Sequence, residues 1–250
     1  MPDTLRLDQF LVARGFFDSR SRARDAIARG TVRVDGSVAA KAGQRVEDGA
    51  EIAVDDPAQA YVSRAALKLI AALDRFGLSP EGLSCLDVGA STGGFTQVLL
   101  ERGARHVTAL DVGHGQLDRR VAGDARVANL EGVNARDLHA GMLGHPVQAI
   151  VSDVSFISLT LALPPALELA EPGAWCVLLV KPQFEAGRAA IGKGGILRDP
   201  TLGAGIAASL EDWLNSLGGW RSLGVIPSPI AGGDGNREYL LAGRKAGRKE

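Results

Sequence analysis

An α/β fold, a doubly wound parallel sheet preceded by a small α+β unit, is what this 250-residue sequence predicts. Three observations carry that expectation. Apolar strand-like runs recur near 84–88, 106–111, 126–130, 147–152 and 174–180, with helical stretches between several of them, and such alternation is the pattern of a parallel sheet covered on both faces. A polar, proline-containing stretch, "DDPAQA" at 55–60, reads as a linker and divides the chain into domains 1–60 and 61–250. With 46% hydrophobic residues, the chain can bury a full core.

Within residues 1–60, apolar spacing predicts a short helix from about Asp8 to Arg14, a turn at Gly15, and a second helix opened by Ser19, whose hydroxyl can accept a free amide N–H of the first turn. Ala23, Ala26 and Ile27 share one face of that helix. Arg20 and Arg24, four residues apart, share another and are expected to face solvent. "TVRVDGSVAAK" alternates Val32 and Val34 with Thr31 and Arg33 and ends in Asp35-Gly36, a hairpin turn signal. Between Arg14 and Arg33 stand six arginines against two acids, and between Glu47 and Asp56 five acids and no base. The whole chain has a net charge of only −1, so any binding of nucleic acid must be local. Charge alone leaves two readings of the arginines, a solvated helix face or a phosphate-binding one.

Beyond residue 60, Ser63 precedes a helix with Ala66, Leu69, Ile70, Leu73 and Phe76 on one face and Arg64 and Lys68 on another. "LSCLDVGASTGGFTQVLLERG" (83–103) then reads as buried strand, glycine turn and helix. In a doubly wound sheet, ligands bind outside the carboxyl ends of the strands, and glycines there let backbone approach them. Gly89, Gly93 and Gly94 give G-x-x-x-G-G rather than the dinucleotide fingerprint G-x-G-x-x-G, which disfavours a pyrophosphate. Asp111 closes the next strand, where an acid accepts hydrogen bonds from a ribose diol; the alternative is an ordinary loop acid. Turn and acid together suit an adenosine-bearing ligand such as S-adenosylmethionine. Asp153 and Lys181 close the fourth and fifth strands beside that ligand, a charged pair facing a cleft. Where base N-methyltransferases usually carry Asn/Asp-Pro-Pro-aromatic, this chain has Ser152-Asp153-Val154-Ser155. Cytosine C5 methylation needs a cysteine nucleophile, whereas Cys85 and Cys176 lie in apolar runs and read as buried reduced thiols. Transfer to oxygen is favoured.

Other classes are disfavoured. The longest apolar run, "AWCVLLV" at 174–180, falls far short of the roughly 20 residues that span a bilayer. The first fifteen residues carry charges throughout and lack a signal-peptide pattern, so a cytoplasmic location is expected. His106, His114, His139 and His145 show no metal-ligand spacing, and no metal is expected.

Two resemblances sharpen the reading. "RLDQFLVARGFFDSRSRARDAIARGTVRVDG" resembles the S4 domain, a small RNA-binding module, which implies RNA as a partner and Arg20, Arg24 and Arg33 as phosphate contacts. Arg64, beyond the linker, is a further candidate RNA contact. In order, "VSRAALKL", "CLDVGASTGGFT", "DVGHGQL", "SDVSFISL", "VKPQFEAGR" and "GNREYLL" resemble the FtsJ-like ribose 2′-O-methyltransferases, whose sheet is of the Rossmann-like class I methyltransferase type. With the S4 module in front, nearly the whole chain is similar to the TlyA family, labelled both hemolysin A and rRNA 2′-O-methyltransferase. That resemblance implies methyl transfer from S-adenosylmethionine to a ribosomal RNA nucleotide, cytidine in the family. It implies a catalytic set of Lys68, Asp153, Lys181 and, in the final strand, Glu238. It implies a cofactor held by Gly89, Ser91, Gly93, Gly94 and Phe95, with Asp111 at its ribose and Asn134 near its adenine. The general FtsJ-like pattern has aspartate at the Asn134 position and tryptophan at the Phe95 position, and this sequence departs from both.

A ribose hydroxyl is a poor nucleophile at neutral pH, so it must be held in line with the methyl–sulfonium bond and helped to lose its proton. Lys181, beside Lys68, can accept or polarise that proton while Asp153 and Glu238 orient the lysines. Two other readings compete: a non-enzymatic RNA-binding protein on a methyltransferase-like fold, and a hemolysin acting on membranes. Arg188, Lys193, Arg198 and the tail "GRKAGRKE" either help hold RNA or are solvated charge.

Overall fold

The computed structural model, which describes residues 4–247, divides into two compact units, Met1–Ala60 with one hydrophobic core and Tyr61–Glu250 with two. In the first unit, β1 (Leu5–Arg6) runs into α1 (Leu7–Ala13), Gly15 turns the chain in the left-handed region (φ 75°), and α2 (Arg20–Ala28) begins where Ser19 Oγ accepts the Arg22 N–H. Strands β2 (Val32–Val34), β3 (Ser37–Val38), β4 (Arg45–Val46) and β5 (Ile52–Val54) follow, with β3-β2-β5 in one antiparallel sheet and β1-β4 in another. Asp35 and Gly36 both have positive φ, 49° and 77°, as the tight β2–β3 turn requires. Leu7, Phe10, Leu11, Ala23, Ala26, Ile27 and Val32 fill the core between helices and sheet.

Residues 55–60 are not the loose linker the composition predicts. Asp56 is buried and pairs with Arg29 at 2.7 Å, and Pro57–Ala60 winds into a 3₁₀ turn that buries Ala58. An ion pair reaching back 27 residues turns a polar stretch into structure, which composition could not show.

The second unit opens with α3 (Ala66–Phe76), then β6 (Ser84–Val88), α4 (Gly94–Glu101), β7 (His106–Asp111), α5 (Arg119–Ala122) and β8 (Val127–Glu131). It continues with β9 (Val147–Ser152), α6 (Leu159–Ala162), α7 (Pro164–Leu169), β10 (Ala170–Val180), α8 (Pro182–Glu185), α9 (Leu202–Ser216), β11 (Trp220–Pro227) and β12 (Tyr239–Lys245). The seven strands lie in the order β11-β12-β10-β9-β6-β7-β8, with only β12 antiparallel to its neighbours. Alternate residues feed two cores. Leu86, Val88, Ile150, Leu178 and Val180 pack on the α6/α7/α9 side; Cys85, Val151, Val177 and Leu179 pack on the α3/α4 side. Chain order reverses between β6 and β9, so a crevice for a ligand opens at the carboxyl ends of those strands.

Part of the basic tail is structural rather than free for RNA. Lys245 Nζ donates to the carbonyls of Leu167, Glu168 and Ala170, closing the end of α7. Arg248 and Lys249 lie outside the described residues.

Candidate active site

The glycine turn after β6 is shaped by close approach. Gly89 (φ 83°) and Gly93 (φ 94°) are left-handed. A Cβ on Gly89 would stand 3.0 Å from Val154 N and 3.1 Å from the Asp153 carbonyl carbon, so the turn presses on the chain leaving β9. One on Gly94 would meet Ser63 Cβ at 2.8 Å, where the chain enters α3. Ser91 is left-handed without being glycine (φ 47°), a strain on the order of 1 kcal/mol. Asp111 holds it there: Ser91 N donates to Asp111 Oδ2 and Gly113 N to Asp111 Oδ1, both at 2.8 Å. Backbone donors thus engage both oxygens of the carboxylate, each of which keeps a second lone pair, and Asp111 still lines the crevice.

That crevice is a cavity of about 410 Å³, within the usual range for small-molecule sites, lined by Gly89, Ser91, Asp111, Asn134, Asp153 and Phe156 among others. A smaller cavity of about 150 Å³ shares Gly89, Ser91, Asp153 and Ser155 with it and adds Gly94, Phe95 and Lys181. Gly93 lines neither; it leaves room for Leu117 and Val121, the former 2.7 Å from where its Cβ would be. Asn134 Oδ1 accepts from the Arg136 N–H and Nε, which fixes its side chain at the rim.

Four charged side chains stand at the strand ends. Lys181 Nζ lies 2.6 Å from Asp153 Oδ1, donates to Ser155 Oγ at 2.6 Å, and reaches the Asp153 carbonyl at 3.5 Å. Lys68 Nζ lies 2.6 Å from Glu238 Oε2, with both side chains more than nine-tenths buried. Pairing of Val180 with Tyr239 puts Lys181 and Glu238 side by side just beyond β10 and β12. Glu238 therefore precedes the final strand rather than lying in it. Lys68, which spacing puts on one face with Arg64, is buried and paired with a partner 170 residues away. The contacts are close pairings of charge more than directed hydrogen bonds: among the described residues, Asp153 Oδ1 and Glu238 Oε2 have no well-aligned donor.

The FtsJ-like methyltransferase family matches residues 61–245, and the S4 domain matches residues 5–52. The chain belongs to the FtsJ-like methyltransferase family. Over 94% of its length this methyltransferase is 46% identical to the 16S/23S rRNA (cytidine-2′-O)-methyltransferase TlyA of Mycobacterium tuberculosis, covering 88% of that protein. It is 42% identical to Hemolysin A of Brachyspira hyodysenteriae, with 94% of this chain and 98% of that one covered. A solved protein of Streptococcus thermophilus, named as a hemolysin, superposes with a TM-score of 0.74 at 38% identity, covering 98% of this chain and 90% of its own. Among the described residues of the methyltransferase, no helix is long and apolar enough to cross a membrane, and no group of three or more histidines, cysteines and carboxylates could hold a metal.

Several residues at the site have no counterpart in the sequence reading. Asp87, fully buried beneath the glycine turn, accepts from Thr96 Oγ1 at 2.7 Å with one oxygen and, among the described residues, has no hydrogen-bond partner for the other. Burial pushes its carboxyl up to about 7, and the negative charge of Asp153 adds to that against the Thr96 bond. Phe156 is 90% exposed at the cavity rim, has positive φ (65°), and lies 5.0 Å from the ring of Phe184, just beyond Lys181. Glu185 accepts from Ser158 Oγ at 2.5 Å and the Leu159 N–H at 2.8 Å, so it holds the far end of the loop carrying Asp153, Ser155 and Phe156, while Lys181, just before α8, holds the near end. No local pattern announces these. An aromatic after "SDVS" reads as core, and a left-handed phenylalanine is not encoded in spacing.

The arginines expected to touch RNA differ among themselves. Arg20 and Arg24 are about half exposed, yet both donate to Asp8. Arg33 Nη1 is engaged by the Gly36 carbonyl at 3.1 Å. Arg64 approaches the backbone at Gly233. Cys85 and Cys176 are free and buried, and burial pushes the Cys85 thiol up to about 12, away from any nucleophilic role.

Proposed function

We propose that this methyltransferase transfers a methyl group from S-adenosylmethionine to the ribose 2′ hydroxyl of a cytidine in ribosomal RNA, in the cytoplasm, with residues 1–60 holding the RNA. The observation that carries the proposal is the position of Lys181, bound to Asp153 and Ser155 on the wall of the small cavity that adjoins the large one. A hydroxyl entering the small cavity meets Lys181 Nζ from one side and the contents of the large cavity from the other.

The residues present fit the cofactor. Gly89 and Gly94 leave no room for side chains where backbone must come close, and an acid stands at the end of the second strand. S-adenosylmethionine supplies a methyl group already activated on a sulfonium. Gly89, Ser91, Gly94 and Phe95 would line its path, Gly93 would keep the turn open, Asp111 would accept from its ribose hydroxyls and Asn134 would sit near its adenine. Lys181 Nζ, as the ammonium that Asp153 balances and Ser155 aims, would polarise the substrate hydroxyl, and would accept its proton only after releasing one of its own to solvent. Lys68 and Glu238 complete a neutral set of four that adds no net charge to a site receiving a polyanion. Positioning can contribute roughly 7–11 kcal/mol and the proton transfer roughly 10²–10⁴-fold. Phe156 offers an exposed ring on which a base drawn out of its stack can lie. The name of the mycobacterial relative supports cytidine and both subunits as targets.

Mapping ribose methylation on ribosomal RNA from cells with and without this protein tests the proposal, together with methyl transfer to purified subunits. Loss of a defined cytidine 2′-O-methyl group is expected. Identical maps in both strains, with no transfer in vitro, would overturn it.

A further inference from the structure

We infer that Asp8 is a positioning residue for RNA binding: one carboxylate gathers Arg6, Arg20 and Arg24 into a single preset clamp for phosphates. The inference rests on the reading of residues 1–60 as the RNA-holding unit and goes beyond it in saying which arginines act and what aims them.

The six arginines of the basic stretch are not equivalent. Arg14 pairs with Asp48, Arg22 donates to the Ala58 carbonyl, Arg29 is buried against Asp56 and Arg33 donates to the Gly36 carbonyl. Arg20 and Arg24 instead turn to Asp8 in the first turn of α1, and Arg6, outside that stretch, joins them. Arg6 Nε donates to Asp8 Oδ1 at 3.1 Å, Arg24 Nε to Oδ2 at 2.9 Å, and Arg20 to Oδ2 through Nε at 3.3 Å and Nη2 at 2.9 Å. The Asp8 side chain is wholly shut from water, whereas the arginines are 43%, 46% and 53% exposed.

Which edge is used matters. A guanidinium has two hydrogen-bonding edges, and Asp8 takes the Nε edge of Arg6 and Arg24. Their paired terminal nitrogens, the fork that fits a phosphate through two parallel bonds, remain for a ligand. Arg6 also lies flat on the backbone at Gly43, where a Cβ would be 3.1 Å from Nη1 and 3.2 Å from Nη2. Three guanidiniums around one carboxylate leave a local charge of +2, held in one place. Free arginines on a helix would have to give up side-chain freedom on binding, about 2 kcal/mol each at most. Here that ordering has occurred before RNA arrives. Burial alone would push the Asp8 carboxyl up, but the bonds from Arg20, Arg6 and Arg24 outweigh it and hold it well below the carboxylate range, so the clamp stays charged at physiological pH.

Charge and geometry predict opposite signs for one substitution, which makes the inference testable. Asp8→Asn removes a negative charge beside the RNA site, so simple electrostatics predicts tighter binding and steeper salt dependence. Loss of aim predicts the reverse: affinity of the full-length protein for ribosomal RNA falls about tenfold, and the log–log salt slope shrinks by about 1–2 as phosphate contacts are lost. The measurement is salt-dependent binding to ribosomal RNA, below the melting temperature of each variant. Arg24→Lys gives a second reading without touching Asp8. It keeps the charge and the ion pair but has no second edge, and several-fold weaker binding at unchanged melting is expected. Unchanged or tighter binding by a folded Asp8→Asn protein would overturn the inference; if that variant does not fold, unchanged binding by Arg24→Lys overturns it. Should the wild-type protein itself not bind ribosomal RNA, it is the underlying functional reading that fails, and the two failures are distinguishable.

Discussion

The two units arrange charge in opposite ways. In the N-terminal unit one buried carboxylate serves three half-exposed arginines, and a net positive charge is left facing solvent. At the strand ends of the second unit each lysine has its own carboxylate, Lys68 with Glu238 and Lys181 with Asp153, and all four side chains are at least four-fifths buried. A group that grips phosphate must stay charged and exposed. One that handles a proton is better desolvated and balanced, because every interaction is stronger where water is scarce and an unpaired charge would be costly. Under the proposed function, arginines sharing one acid make an anchor in the first unit and lysines each with its own acid a reaction site in the second, and the ratio of acids to bases distinguishes them.

The comparison breaks most visibly at Lys181. Lys181→Ala is expected to lower single-turnover methyl transfer at least 10³-fold while S-adenosylmethionine affinity, by calorimetry, stays within about twofold, since the proposed partner of its ammonium is the substrate hydroxyl. If Lys181 were only a structural ion pair, melting would fall instead and transfer would survive. Next in size is Glu238→Ala, which strands the buried Lys68 ammonium. A loss of about 3–5 kcal/mol is expected from breaking a buried pair, read as a fall in melting temperature of roughly 2–4 °C for each kcal/mol. A stability equal to wild type would show that the Lys68 site is wet and the contrast between the units overstated. Asp111→Ala comes third: about a tenfold or greater loss of cofactor affinity, measured by titration, with transfer at saturating cofactor reduced far less.

The smallest effect is one of pH. Asp87 has its carboxyl raised to about 7 by burial against an ordinary value of 3.8. The folded state therefore holds a proton that the unfolded state releases between those values. Its favourable contribution is complete below about pH 4 and is lost as pH rises through about 7. In Asp87→Asn that loss is absent, so the fall in melting temperature between pH 5 and 8 should flatten by a few degrees. A pH profile identical to wild type would mean that Asp87 is already charged in the folded protein.

How far the sequence reaches can be argued residue by residue. The strands at 84–88, 106–111 and 147–152 are legible to the residue because they are short apolar runs closed by glycine or an acid. β11 and β12 escape the pattern of alternating strand and helix. β11 is a half-exposed edge strand, its pairing slips at Gly224, and the two strands join through a long glycine-containing loop. Asp153 and Lys181 are legible because position at a strand end is a local property. Lys68 is only half so: spacing puts it on a helix face with Arg64, and its surroundings depend on Glu238, far along the chain. Arg6 is absent from the sequence reading because one arginine beside an aspartate resembles a surface pair until Arg20 and Arg24 are seen on the same carboxylate.

The ordered stretch between the two units has a consequence for how the protein would work on a large particle. Asp56 is tied to Arg29 in the first unit, and the Val62 N–H donates to Gln97 Oε1 in the second at 2.8 Å. Six residue steps separate these ties, at most about 20 Å of chain. Under the proposed function, RNA caught by the first unit is tethered to the second through that chain, whatever its concentration in the cell. The protein then behaves as a two-handed ligand for one particle, and each hand can be weak. Weak hands let go, so the enzyme can leave a finished ribosome instead of staying on it.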